Sequence, residues 1–192
     1  MVLSPRFEQA LQYACIIHAG QIRKGAGIPY ISHLMAVTSI ALEHGATEDE
    51  AIAALLHDAA EDAGGHKRVN DIRVRFGATV ADLVVSCTDT MMERKPEWNS
   101  RKEAYVASIY RKTPSELLIT ASDKLHNSQS ILRDYRALGD EVWERFSSKK
   151  EGTLWYYRAL ANAFLAAPNN YRCKSLIEEI NRVVTTIEEL SK

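Results

Sequence analysis

Ala53-Ala54-Leu55-Leu56-His57-Asp58-Ala59-Ala60-Glu61-Asp62 is the stretch around which the rest of the chain is read. It follows Thr47-Glu48-Asp49-Glu50, a capping box whose first-turn acids also suit the positive end of a helix. A helix is therefore predicted from Thr47 to the pair Gly64-Gly65. Its apolar half should be buried, and four ionisable side chains follow at once. An unpaired buried charge costs several kcal/mol or forces a pKa shift. A cation shared among these groups explains them better than packing does.

Outward from this stretch nearly every local signal is helical. Ser4-Pro5 is an N-cap followed by proline at the first helical position, and apolar residues then recur at helical spacing to about Arg23. The glycines and proline of Lys24-Gly25-Ala26-Gly27-Ile28-Pro29 predict a loop. A second helix is expected over 32–44, with Gly45 as its stop. Short helices are expected over 69–76 and 79–87, although the β-branched residues of Val80 to Val85 also suit a strand. A loop is read over 91–100, then a helix over 101–112 capped by Asn99 or Ser100. Thr113-Pro114-Ser115-Glu116 joins a capping box to proline and is the strongest helix start in the chain, predicting a helix to about Ala137. Helical segments over 141–167, with a break near Ser147-Ser148, and over 171–190 complete the set. The expected fold is all-α, a single bundle-like domain over 1–192 with 168–192 as a C-terminal helical extension.

The composition of the 192 residues, 46% hydrophobic and 26% charged, is that of a globular protein, and the net charge is −1. There is no basic surplus to bind nucleic acid through counterion release. No apolar run reaches membrane-spanning length, and the first residues lack the apolar core of a signal peptide. Cys15, Cys87 and Cys173 are odd in number and far apart, which suits a reducing compartment and no disulfide framework. A cytoplasmic protein without nucleic-acid or membrane partners is expected. The aromatic residues of the C-terminal third suit either the core or a homo-oligomer interface.

The chemistry concentrates at three places. His57 and Asp58 are adjacent, so they can flank one ion if that edge of the helix faces a cavity. Glu61 and Asp62 lie three and four residues beyond Asp58, on its side of a helix. Asp123 stands ten residues into the well-capped helix, after Leu117-Leu118-Ile119, and needs a partner there. His33 opens the second helix. Two imidazoles and two carboxylates make a mixed nitrogen and oxygen donor set suited to Mn²⁺, Fe²⁺, Zn²⁺ or Co²⁺. Such an ion activates water for hydrolysis near neutral pH. Asn127 and Ser130 lie at i+4 and i+7 from Asp123 and share its helix face. His18 and His126 are read as packing or supporting residues.

The order His33, His57-Asp58, Asp123 resembles that of the HD-domain phosphohydrolases. Three separated motifs sharpen the resemblance: Arg23-Lys24-Gly25-Ala26-Gly27-Ile28-Pro29-Tyr30-Ile31-Ser32-His33, then Ala54-Leu55-Leu56-His57-Asp58-Ala59-Ala60-Glu61-Asp62, then Asp123-Lys124-Leu125-His126-Asn127. They are similar to the hydrolase domain of Rel/SpoT-type alarmone enzymes, and the chain length is that of their stand-alone forms. The resemblance implies metal ligands at His33, His57, Asp58 and Asp123, with Mn²⁺ as the ion. It implies that Glu61 and Asp62 position or deprotonate the attacking water. It places Arg23 and Lys24 against the nucleotide, Asn127 and Ser130 in the nucleoside pocket, and Tyr30 in its wall. Lys102 is near a phosphate-contacting lysine, and Trp155-Tyr156 near an aromatic pocket position. The chain departs from the pattern at Leu34, where proline is usual, in a shorter loop after Gly64, and in the basic, aromatic segment 94–102.

The implied activity is removal of the 3′-pyrophosphate from (p)ppGpp. The same residues also suit an HD phosphohydrolase acting on ppApp, NADPH or a nucleoside monophosphate, or a nucleotide-sensing module without turnover.

Overall fold

The computed structural model describes residues 2–25, 27–62, 64–88 and 97–192, and for Asp62 the backbone alone. Among them are ten α-helices: α1 Pro5–Ile17, α2 Ile31–Glu43, α3 Glu48–Leu56, α4 Ala59–Asp62, α5 Gly65–Phe76, α6 Ala78–Cys87, α7 Trp98–Ser108, α8 Pro114–Leu138, α9 Lys149–Ala166 and α10 Lys174–Leu190. The described residues form no strand, only an isolated antiparallel bridge between Ile22 and Pro29. The all-α reading holds, and the β-branched run 80–85 is helical within α6. No helix among the described residues is long and apolar enough to cross a membrane.

The caps behave as their chemistry demands. Thr47 and Thr113 each close a full capping box, with Glu50 and Glu116 reaching back to the threonine N–H at 2.7 Å. Helix α8, 25 residues long, is the spine. It packs against α2, α3, α6 and α10, and its middle carries Asp123 across the centre of the molecule. One contiguous apolar core runs from Ala10 to Ile187. Helix α10 contributes Leu176, Ile177, Ile180, Val183, Val184 and Ile187 and lies on α8 and α9.

Several boundaries differ from the sequence expectation. Helix α1 ends at Ile17 rather than Arg23, because Gly20 takes a left-handed conformation (φ 76°) and the chain turns back on itself. Two backbone bonds then close a small loop, Arg23 N–H to Ile28 O and Tyr30 N–H to Gln21 O, each 2.9 Å. The helix predicted to continue to Gly64 stops at Leu56. His57-Asp58 form a turn, and α4 resumes for a single turn. Helix α7 starts at Trp98, capped by Glu97, whose carboxylate accepts the Ser100 N–H at 3.1 Å. Residues Gly139–Arg145 are 3₁₀ rather than α, and the break near Ser147-Ser148 is real. Most of the loop read over 91–100, with Arg94, Lys95 and Pro96, lies outside the described residues.

A buried ion pair ties α3 to the segment before α10. Glu50, 3% exposed, receives Arg172 in a bidentate contact at 2.6 and 3.0 Å. Burial pushes the Glu50 carboxyl up, but Arg172, Ser115 and the Thr47 N–H outweigh it and lower it from 4.5 to about 2. A depressed carboxylate stabilises the fold above its unfolded pKa, and the contribution disappears as pH falls through the folded value. About 2–3 kcal/mol of stability should therefore be present at pH 7, begin to fade below pH 4.5 and be gone near pH 2. Arg172→Met should lose a similar amount at neutral pH, and its deficit should shrink on acidification; urea unfolding of both proteins between pH 3 and 7 measures this. A pH-independent deficit would assign the loss to packing.

Candidate metal centre and adjoining cavity

Four side chains from three parts of the chain converge. His33 comes from the first turn of α2, His57 and Asp58 from the turn between α3 and α4, and Asp123 from the middle of α8. The regular helix stops at Leu56, but His57 itself keeps helical dihedrals (φ −58°, ψ −32°), and the turn at His57-Asp58 presents both side chains on one edge. Their polar atoms meet: His57 Nε2 lies 3.0 Å from Asp58 Oδ2 and 3.6 Å from Asp123 Oδ1. His33 Nε2 lies 3.5 Å from Asp58 Oδ2 and 3.3 Å from Asp123 Oδ1. Donor atoms bonded to one cation at about 2.1 Å stand about 3.0 Å apart at octahedral angles and about 3.4 Å apart at tetrahedral ones. The observed separations are those of a coordination shell. His57 Nε2 is also buried without a hydrogen-bond partner, as a ligand nitrogen would be. His33, His57 and Asp58 satisfy the geometry of a metal-holding group by themselves, and the residues fit a divalent ion.

Electrostatics point the same way. Burial disfavours charge at His57, yet Asp58 and Asp123 hold its imidazole well above the ordinary value. Burial likewise works against Asp58 and Asp123, and their neighbours keep both carboxyls well below the ordinary range: the charge of His57 and hydrogen bonds from His33 and His57 at Asp58, the charge of Lys124 and hydrogen bonds from the same two histidines at Asp123. Two carboxylates thus stay ionised inside the protein, where a cation is the natural complement.

Each ligand candidate is held by another group. His57 Nδ1–H donates to the Ala54 carbonyl at 2.8 Å, which leaves Nε2 facing the cluster. The Tyr30 hydroxyl donates to Asp58 Oδ2 at 2.6 Å. Asn127 Nδ2 donates to Asp123 Oδ1 at 2.5 Å, and Lys124 Nζ to Asp123 Oδ2 at 2.6 Å. His33 Nδ1 and His126 Nδ1 are 2.7 Å apart. Burial first, then the neighbouring His33 and Arg23, lower His126 from 6.5 to about 4.

Beside the cluster opens a cavity of about 400 Å³, in the size range of small-molecule sites. Arg23, Lys24, Tyr30, Glu61, His126, Asn127, Ser130 and Tyr157 line it, with Arg133, Asp134 and Arg145 further out. Arg23 Nη2 donates to Asn127 Oδ1 at 2.9 Å and so joins two motifs 104 residues apart. Gly25 is required here: a Cβ on it would stand 2.3 Å from Arg145 Cδ, and its φ of 78° is left-handed.

The structure thus gathers His33, His57, Asp58, Asp123, Arg23, Lys24, Tyr30, Glu61, Asn127 and Ser130 around one centre. Ser130 turns its hydroxyl proton to the His126 carbonyl at 2.9 Å. Lys102 does not line the cavity; its ammonium lies over the rings of Tyr156 (4.9 Å) and Tyr105 (6.0 Å). The side chain of Asp62 lies outside the described residues. Trp155 is exposed and Tyr156 buried, and the aromatic residue in the wall is Tyr157. Sequence reading missed Tyr157 in the wall and Lys124 as partner of Asp123, while the supporting place read for His126 is found against His33.

Fold and site define an all-helical protein with a His/Asp metal centre opening on a cationic cavity. Residues 10–154 match the family described as HD domain. The chain is 33% identical over 138 residues to human guanosine-3′,5′-bis(diphosphate) 3′-pyrophosphohydrolase MESH1, covering 70% of this chain and 72% of that protein. It is 35% identical over 160 residues to a GTP pyrophosphokinase of Streptomyces antibioticus, where the match covers 82% of this chain and spans only 18% of that protein. A solved structure of a metazoan ortholog of SpoT that hydrolyzes ppGpp superposes with a TM-score of 0.77 at 26% identity, covering 97% of this chain and 98% of that one. The chain belongs to the HD-domain family.

Proposed function

We propose that this protein is a metal-dependent phosphohydrolase that removes the 3′-pyrophosphate of guanosine alarmones, converting (p)ppGpp and water to GDP or GTP and pyrophosphate. The observation that carries the reading is the junction of the His33, His57 and Asp58 cluster, flanked by Asp123, with a cavity in which Arg23 and Asn127 are hydrogen-bonded to each other. The activity named for the human relative supports it. His33, His57, Asp58 and Asp123 would hold the ion, with Mn²⁺ as the proposed metal. A bound divalent cation supplies Lewis-acid charge stabilisation at the phosphoryl oxygens and makes water acidic enough to ionise near neutral pH.

The protein's own residues do the rest. Arg23 and Lys24 bind the nucleotide, and Asn127, Ser130 and Tyr157 shape the nucleoside wall. Tyr30 fixes the orientation of Asp58. Glu61, with Asp62, takes the proton of the attacking water. The water oxygen bonds to the phosphorus nearest the ribose, the bond from that phosphorus to the ribose 3′ oxygen breaks, and this oxygen gains a proton. The whole chain is proposed to act as one unit, with 168–192 as a helical extension.

The test is product identification with Mn²⁺ and a panel of ppGpp, pppGpp, ppApp, NADPH and simple nucleotides. Pyrophosphate with GDP or GTP is expected from the two guanosine alarmones. Well-folded, metal-loaded protein that leaves both intact would sink the proposal, and turnover of another panel member would redirect it.

A further inference from the structure

Three of the four ligand candidates are held by side chains that also form the cavity wall: Asp58 by Tyr30, Asp123 by Asn127, and His33 by His126. The third contact has a forced polarity. His33 Nε2 faces the carboxylates and must offer its lone pair to a metal, so in neutral His33 the proton sits on Nδ1. Two Nδ1 atoms 2.7 Å apart then require His126 Nδ1 to accept. A neutral imidazole that accepts at Nδ1 carries its hydrogen on Nε2. His126 lines the cavity together with Arg23, Asn127 and Tyr30.

We propose that His126 is a two-sided residue: its Nδ1 is the positioning acceptor that fixes the metal-binding tautomer of His33, and its Nε2–H is a hydrogen-bond donor to the nucleotide in the cavity. Metal and nucleotide are thereby read through one ring. This rests on His33 being a metal ligand, as proposed above.

Two substitutions separate the two sides. The amide oxygen of asparagine reaches the position of Nδ1, and that of glutamine, or its NH₂, the position of Nε2. His126→Asn keeps the acceptor and loses the donor. Mn²⁺ affinity, measured by calorimetry without nucleotide, should stay within about threefold of wild type, while kcat/KM for ppGpp falls about 10- to 100-fold. His126→Gln keeps the donor and loses the acceptor. Its Mn²⁺ affinity should fall about 10- to 100-fold, the range for ligands deprived of their supporting bond. Nitrogen-15 shifts of the His33 ring should report Nδ1–H in wild type and in His126→Asn, and a mixture in His126→Gln. Unchanged Mn²⁺ affinity in His126→Gln overturns the positioning role, and unchanged kcat/KM in His126→Asn overturns the donor role. If wild type binds no Mn²⁺, the metal-centre reading itself has failed, which the calorimetry distinguishes.

Discussion

Asp123→Asn is expected to remove turnover, lowering kcat by about 10³-fold or more, and to take metal binding with it. The substitution keeps the volume and one acceptor oxygen and removes the negative charge. Asp123 Oδ1 approaches both His33 Nε2 and His57 Nε2 from the side of α8, at 3.3 and 3.6 Å, and is the acidic oxygen that α8 brings to the cluster. A second consequence follows from Lys124. Its ammonium is buried against Asp123 Oδ2 at 2.6 Å, and although burial works against its charge, Asp123 and the surrounding tyrosines hold it well above the ordinary lysine value. Asparagine would strand that cation, a loss of about 3–5 kcal/mol for a buried pair broken on one side. The double variant Asp123→Asn/Lys124→Met should recover most of the stability and none of the activity. Metal analysis of the purified proteins, unfolding curves and kcat together check this. Retained metal with lost activity would move Asp123 from ligand to substrate contact.

Glu61→Gln should behave in the opposite way towards the ion. Glu61 lies on the single turn α4, lines the cavity and stands outside the donor cluster. The substitution keeps the shape and removes the proton acceptor. A fall of about 10²–10⁴-fold in kcat is expected, with Mn²⁺ affinity and KM close to wild type. Parallel loss of metal would show that Glu61 belongs to the shell. Near-normal kcat would pass the role of base to Asp62.

The contrast between the two variants reflects how the site was legible. Capping boxes at Thr47 and Thr113 and the apolar periodicity of the segments they start are local, so the helices of the core could be read from the chain. The candidate donor set was legible because three separated motifs resemble those of the HD-domain phosphohydrolases, and because ionisable residues such as Asp123 within apolar helices are costly without a partner. The end of α1 was not legible. Gly20 looks like any glycine until the backbone bonds of 21–30 take the place of further helical turns. Nor was the break after Leu56. His57 and Asp58 nevertheless bring their polar atoms within 3.0 Å of each other in the turn between α3 and α4.

By itself the sequence determined an all-α chain and the residue types of its candidate site, since caps, periodicity and residue type act within a few positions. Tertiary structure alone decided that the helix carrying Ala53 to Asp62 must break at His57-Asp58, and that Arg23 meets Asn127. It also decided that Tyr30 holds Asp58 and His126 holds His33 from the cavity side. The reason is distance along the chain. Those contacts join residues 28 to 104 positions apart, and their geometry exists only after the helices have packed around α8.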